Sequence, residues 1–113
     1  MAEVQLVNFD NFDRETLDKI KDVTWPLIDK FSRMFGEKYI EEFKLTAKPI
    51  REKQEQTLYK VVGTLKTTKG FFRTEETGWK ILDVVEKIIE ELERMITEKK
   101  EIIKRKIKRQ TLK

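Results

Sequence analysis

The sequence lacks the residues on which most catalytic and metal sites depend. It contains no cysteine and no histidine among its 113 residues, and Ser32 is its one serine. These absences exclude disulfides, thiolate or histidine metal sites, and triads built on cysteine or histidine. No apolar run approaches the roughly 20 residues that span a bilayer, and the N-terminus does not resemble a signal peptide. We therefore expect a cytoplasmic, non-catalytic protein with no cofactor, no metal and no membrane association.

Charge is abundant and unevenly placed. Charged residues make up 41% of the chain, and its net charge is +4. Between Lys99 and Lys113 there are eight basic residues and one acidic residue, whereas the other residues include 17 basic and 20 acidic ones. A mildly acidic body with a basic tail favours attraction to a polyanion. The Lys/Glu-rich composition is also typical of proteins from hot environments.

The first third of the chain predicts a strand and a helix. Alternating apolar residues indicate a strand over Glu3–Phe9. Asn11 or Asp13 can cap the helix that follows, and Gly36 can end it. Because Pro26 lies inside the apolar stripe of this helix and lacks a backbone N–H, we expect a kink or break just before it.

The rest of the chain predicts three strands and a long helix. Period-two alternation indicates a strand from Phe43 to Lys48, and the polar segment Arg51–Gln56 reads as a hairpin loop. Further strands follow over Tyr59–Lys66 and Phe71–Glu75. Apolar residues three and four apart then predict a helix from Trp79 to Arg109, which would be about 46 Å long.

The resulting element order is β-α-β-β-β-α. The economical arrangement is an α+β, two-layer fold in which an antiparallel four-stranded sheet carries both helices on its apolar face. Residues 1–98 would form a single α+β domain, and residues 99–113 would be a basic C-terminal extension of the last helix.

The predicted strands place basic side chains on the sheet face without helices. If the apolar strand residues face the helices, this open face carries Lys44, Lys48, Lys60, Lys66 and Arg73. Cations on a helix-free sheet suit RNA phosphates, because they displace condensed counterions without reading bases. The alternative is that they keep exposed strands soluble and discourage edge pairing.

A second basic set lies on the last helix. Lysines at i, i+4 and i+8 form a stripe that neighbouring basic residues widen: Lys99, Lys100, Lys104, Arg105, Lys108 and Arg109. We expect this stripe to contact phosphates as well. The alternatives are a solvated helix end, in which cations complement the helix dipole, and a membrane surface, for which the tail has no aromatic anchors.

Aromatic residues could add stacking platforms for RNA bases. Phe71 and Phe72 are neighbours in a predicted strand, so one of them must face away from the core. Tyr59, Phe43 and Trp79 are further candidates, although a single exposed aromatic residue is ordinary.

The chain also resembles the ribosome hibernation-promoting factor family, whose members are also called ribosome-associated inhibitors. The resemblance lies in the element order and in three segments: Phe12–Ile20, Tyr59–Gly70, and Val84–Ile96 with its Leu92-Glu93-Arg94 step. It implies an RNA-binding protein that contacts the decoding region of the small ribosomal subunit and blocks messenger and transfer RNA. Double-stranded RNA-binding domains have a related α-β-β-β-α order, which also implies RNA binding.

The leading hypothesis is therefore a ribosome-associated translation regulator that contacts ribosomal or other structured RNA. The rival is a protein-interaction module that forms a homodimer through its last helix, with Leu92, Ile96 and Ile103 at the contact. A small-ligand or enzyme domain is a third option, for which the sequence offers no specific motif.

Overall fold

A computed structural model describes the backbone of residues 4–68 and 70–111 and the side chains of residues 4–36, 38–68 and 70–99. Its elements are β1 (Val4–Val7), α1 (Arg14–Phe35), β2 (Ile40–Lys53), β3 (Gln56–Thr67), β4 (Gly70–Gly78) and α2 (Ile81–Thr111). A short 3-10 turn joins α1 to β2. The predicted order β-α-β-β-β-α and the α+β class are confirmed.

The sheet is mixed, so the prediction of a fully antiparallel sheet is wrong. Its strand order is β1-β2-β3-β4, with antiparallel pairing between β2 and β3 and between β3 and β4. β1 instead pairs with β2 in parallel, with Val4 opposite Phe43. The physical reason is α1: a helix of this length carries the chain back along the sheet, so β2 starts at the same end as β1.

α1 begins and ends where the sequence predicts. The Oδ1 atom of Asp13 accepts a hydrogen bond of 2.8 Å from the Thr16 N–H, and this bond lowers the pKa of the Asp13 carboxyl below its ordinary value. At the other end, Gly36 has φ 104° and donates its N–H to the Ser32 carbonyl. Such a positive φ favours glycine, which ends the helix.

The sequence predicts a kink or a break just before Pro26. The break is wrong, because α1 is one helix from Arg14 to Phe35 with Pro26 inside it. Trp25 and Pro26 are both exposed. The carbonyl of Asp22, four residues before the proline, can therefore bond to water where an N–H is missing. The buried side chains of Ile20, Thr24 and Leu27 hold the helix to the core on its other face.

The β2–β3 hairpin is longer than predicted. Arg51–Gln56 is not a loop, because the strands pair as far as Lys53 and Gln56 and leave a turn of two residues. Pro49 lies beside a register shift in β2, the position at which a strand tolerates a residue without an N–H. The hydrophobic alternation fades here because both faces of the hairpin are exposed.

One core lies between the sheet and the two helices. The strands contribute Phe43, Leu45, Val61, Leu65 and Phe72, while α1 contributes Leu27 and Phe31 and α2 contributes Val85, Ile88, Leu92 and Ile96. The core-facing sides of the strands are thus those that the alternation predicts. Because Leu92 and Ile96 are fully buried in this core, they are unavailable for the homodimer contact that the sequence suggested, and the side chain of Ile103 lies outside the described residues.

α2 approaches the sheet closely at two glycines. A Cβ atom added to Gly63 in β3 would lie 2.4 Å from Cγ2 of Ile88, and one added to Gly78 in β4 would lie 2.7 Å from Cγ2 of Val84. Both distances are too short for a real contact. These glycines therefore allow α2 to pack along β3 and β4.

Restoring a helical N–H at Pro26 should stabilise the protein. Because α1 is continuous, Pro26→Ala recovers one backbone hydrogen bond and removes a steric clash. We expect the free energy of unfolding to rise by about 1–3 kcal/mol, allowing for the greater freedom of the unfolded chain. Urea denaturation measures this change, and a loss of stability would mean that the proline is required where α1 passes Trp25.

Adding a methyl group at Gly63 should destabilise the protein. In Gly63→Ala the new Cβ overlaps Ile88, whose branched side chain cannot swing away, so we expect a loss of about 1–3 kcal/mol. Thr64→Ala is the matched control, because Thr64 is the next residue in β3 and faces the open side. Equal denaturation midpoints for the two variants would contradict the close approach of α2.

Candidate nucleic-acid interface

The face of the sheet opposite the helices carries the predicted basic residues. Strand register aligns side chains of β2, β3 and β4 in rows across this open face. The rows are Lys48–Lys60–Thr77, Lys44–Thr64–Arg73 and Glu42–Lys66–Phe71. The structure thus brings together on one surface the five cations predicted for this face: Lys44, Lys48, Lys60, Lys66 and Arg73.

Four of these five cations form ion pairs on the protein itself. One oxygen of Glu75, Oε2, lies 3.3 Å from Nζ of Lys60 and 3.2 Å from Nη2 of Arg73. Lys44 lies 3.5 Å from Glu42, and Lys66 lies 3.8 Å from Glu41. The five cations exceed these three carboxylates by two, so the open face keeps a positive excess.

Glu75 is held in its ionised form by its two partners. The hydrogen bond from Lys60 is the main cause that lowers the pKa of the Glu75 carboxyl, and the charges of Lys60 and Arg73 add to it. Because the pKa is lower in the folded state, this interaction stabilises the protein above the ordinary pKa of a glutamate. The stabilisation is lost as the pH falls through the lowered value.

Lys48 and Lys60 form a like-charge pair across β2 and β3. They are direct cross-strand partners, and such a pair of like charges is unfavourable in an isolated sheet. Within the part of the chain that the structure describes, no carboxylate lies within ion-pair distance of Lys48. The repulsion between these two lysines would be relieved by an anion placed over them.

Phe71 adds an exposed aromatic ring to the open face. It is 62% exposed, whereas its neighbour Phe72 is buried, as the alternation requires. Phe71 is opposite Lys66 in β3. Tyr59 and Phe43 face the helices, and the ring of Tyr59 packs against Phe12; neither is a stacking platform.

Lys99, the first residue of the predicted basic stripe, lies on α2, in the layer opposite the open face. Cε of Lys99 is 3.8 Å from the position that a Cβ on Gly70 would occupy, so Lys99 lies on the helix side of the β3–β4 turn. The remaining predicted side chains of the stripe lie outside the described residues: Lys100, Lys104, Arg105, Lys108 and Arg109. The backbone of α2 nevertheless stays helical to Thr111, about 18 Å past Lys99.

The glutamates that form ion pairs with the basic residues of the open face were not predicted from the sequence. Glu42 and Lys44, like Arg73 and Glu75, are two residues apart in one strand and therefore share a face, a signal that was available. The contact of Lys60 with Glu75 depends on the β3–β4 register, which the sequence does not reveal.

Among the described residues, no cluster of three or more acidic, histidine or cysteine side chains could hold a metal ion. None of the described helices combines the length and the hydropathy that a membrane crossing requires.

Residues 3–113 match the family model described as hibernation factor Hib, C-terminal domain. The chain belongs to this family. The resemblance to ribosome hibernation-promoting factors is thereby confirmed, and membership supports a ribosome-associated protein that inhibits translation. A comparison with curated protein sequences found no match.

Removing the charge of Glu75 should strengthen binding of a polyanion. Glu75→Gln releases Lys60 and Arg73 from their shared carboxylate, so we expect higher affinity for poly(U) and a steeper loss of that affinity with salt. Glu15→Gln is the matched control, because Glu15 pairs with Lys19 on the exposed side of α1. If both variants bind poly(U) as the parent does, the open face is not the contact surface.

Proposed function

We propose that this protein binds ribosomal RNA in the cytoplasm through the open face of its sheet and thereby inhibits translation, without catalysis. Family membership supports the association with ribosomes. The observation that carries the contact surface is the Lys48–Lys60 pair, two cations aligned across the sheet with no carboxylate near Lys48 among the described side chains.

The open face suits the RNA backbone better than it suits base reading. Lysines offer point charges that neutralise phosphates, whereas sequence is usually read by planar or forked groups placed against base edges. Because four of the five cations on this face are lysines, the surface favours recognition of shape and charge. The small ribosomal subunit is the proposed partner, and its decoding region is the part that the family resemblance implies.

The basic stripe of α2 is proposed as a second contact. The α2 helix that carries it lies in the layer opposite the open face, and the helix backbone continues past Lys99 to Thr111. An RNA that reaches both surfaces would have to pass this end of the sheet, where Lys66 and Phe71 also lie.

Neutralising the lysine pair should weaken binding to small ribosomal subunits. In the double variant Lys48→Gln/Lys60→Gln, two phosphate contacts are lost. The slope of log affinity against log salt should therefore flatten by about 0.7–0.9 for each contact. Sedimentation with purified small subunits at several salt concentrations measures this slope.

A matched control removes the same charge from the other layer. Lys19→Gln/Lys21→Gln alters two exposed lysines of α1 and should leave the slope unchanged. If the control and the open-face variant lose affinity equally, net charge alone governs binding and the assignment to the open face is wrong. If the parent does not bind small subunits at any salt concentration, the proposed function itself is wrong.

A further inference from the structure

A cavity of about 270 Å³ lies where β4 ends and α2 begins. It is lined by Thr77, Gly78, Trp79, Lys80, Asp83, Val84 and Lys87. The Trp79 side chain is 41% exposed, although an indole is one of the most favourable groups to bury. A large aromatic surface is thus left open to a ligand beside a cavity.

The cavity and the open face of the sheet share one residue, Thr77. Thr77 lines it and is also the β4 member of the row that contains Lys48 and Lys60. Neighbouring strands are 4.7–4.9 Å apart, so the row from Lys48 to Thr77 covers about 10 Å. Because β4 is an edge strand, a chain lying along this row can bend round the edge into the cavity.

The charges around the cavity favour an anionic ligand. Lys80 and Lys87 border it, against one carboxylate, that of Asp83. Neither lysine takes part in an ion pair with any side chain that the structure describes. Two lysines thus border the cavity, and two more, Lys48 and Lys60, lie in the row of the open face that ends at Thr77.

We propose that this cavity accepts one unpaired RNA base against the Trp79 ring while Lys60 and Lys48 bind phosphates of the same strand. The inference rests on the proposed function and specifies its ligand as single-stranded or bulged RNA. A base in a duplex is stacked on both sides and cannot enter the cavity, whereas an unpaired base presents a free face. Stacking of this kind tolerates any base, because every base has a π face.

The fluorescence of Trp79 reports directly on the site. The chain has two tryptophans, so Trp25→Phe leaves Trp79 as the only indole without touching the cavity. Titration with oligo(U) should quench this emission strongly, since a stacked base lies against the ring, and a duplex RNA of equal length should quench it much less. The reciprocal variant Trp79→Phe, which retains Trp25, should show little quenching with either RNA.

Affinity gives a second readout. Trp79→Leu should weaken oligo(U) binding by about fivefold or more, the value of one stacked base, and should leave duplex binding nearly unchanged. Trp25→Leu is the control, because Trp25 is an even more exposed tryptophan, at 52%, on α1. If Trp79→Leu does not fold, Lys87→Gln tests the same cavity and should lower oligo(U) affinity with a smaller effect on duplex binding.

The results separate this inference from the proposed function. If oligo(U) binds with normal salt dependence but leaves Trp79 emission unchanged, the base site is wrong and the phosphate contacts stand. Equal affinities of the two leucine variants for oligo(U) would also overturn it. A parent chain that binds neither RNA nor small subunits would overturn the proposed function itself, and the base site with it.

Discussion

The close packing of α2 on β3 and β4 is the constraint on which the rest of the structure depends. Gly63 and Gly78 lack the Cβ atoms that would collide with Ile88 and Val84, so the helix can lie directly on the strands. This contact buries one face of the sheet under apolar side chains. The opposite face is left without a helix, and its polar and basic residues are held at fixed positions by strand register.

Strand register holds the cations of the open face in fixed positions. Lysines on a mobile segment lose conformational freedom when they bind an anion, whereas the strands already align Lys48 and Lys60. The neighbouring carboxylates reduce the positive charge of the open face but do not cancel it, because one carboxylate, that of Glu75, pairs with two cations. The face therefore presents aligned cations together with carboxylates that compete with any bound anion for them.

Local patterns in the sequence revealed most of the fold but not its long-range pairing. Alternation and helical spacing identified β1 to β4, α1 and α2, together with the sides of the strands that face the core. They did not reveal that β1 is parallel to β2, since pairing direction depends on where α1 returns the chain. Nor did they reveal the continuity of α1 through Pro26, which depends on the proline lying on the exposed side.

For the candidate site, the sequence likewise predicted which residues share a face but not which of them contact one another. Period two placed Lys44, Lys48, Lys60 and Lys66 on one face, because side chains two residues apart in a strand share a side. The contact between Lys60 and Glu75 and the cavity beside Trp79 both arise from tertiary register, which no local pattern contains. A related limit applies to Leu92 and Ile96: their spacing reveals an apolar stripe but not that the core of the same chain covers it.

Lysine modification tests most directly whether the open face contacts ribosomal RNA. The full chain is treated with a lysine-selective reagent, alone and bound to small ribosomal subunits, and the modified positions are read by mass spectrometry. The account predicts protection of Lys44, Lys48, Lys60 and Lys66, with Lys19 and Lys21 on α1 modified equally in both states. Protection of the α1 lysines together with unchanged modification of the open-face lysines would contradict it.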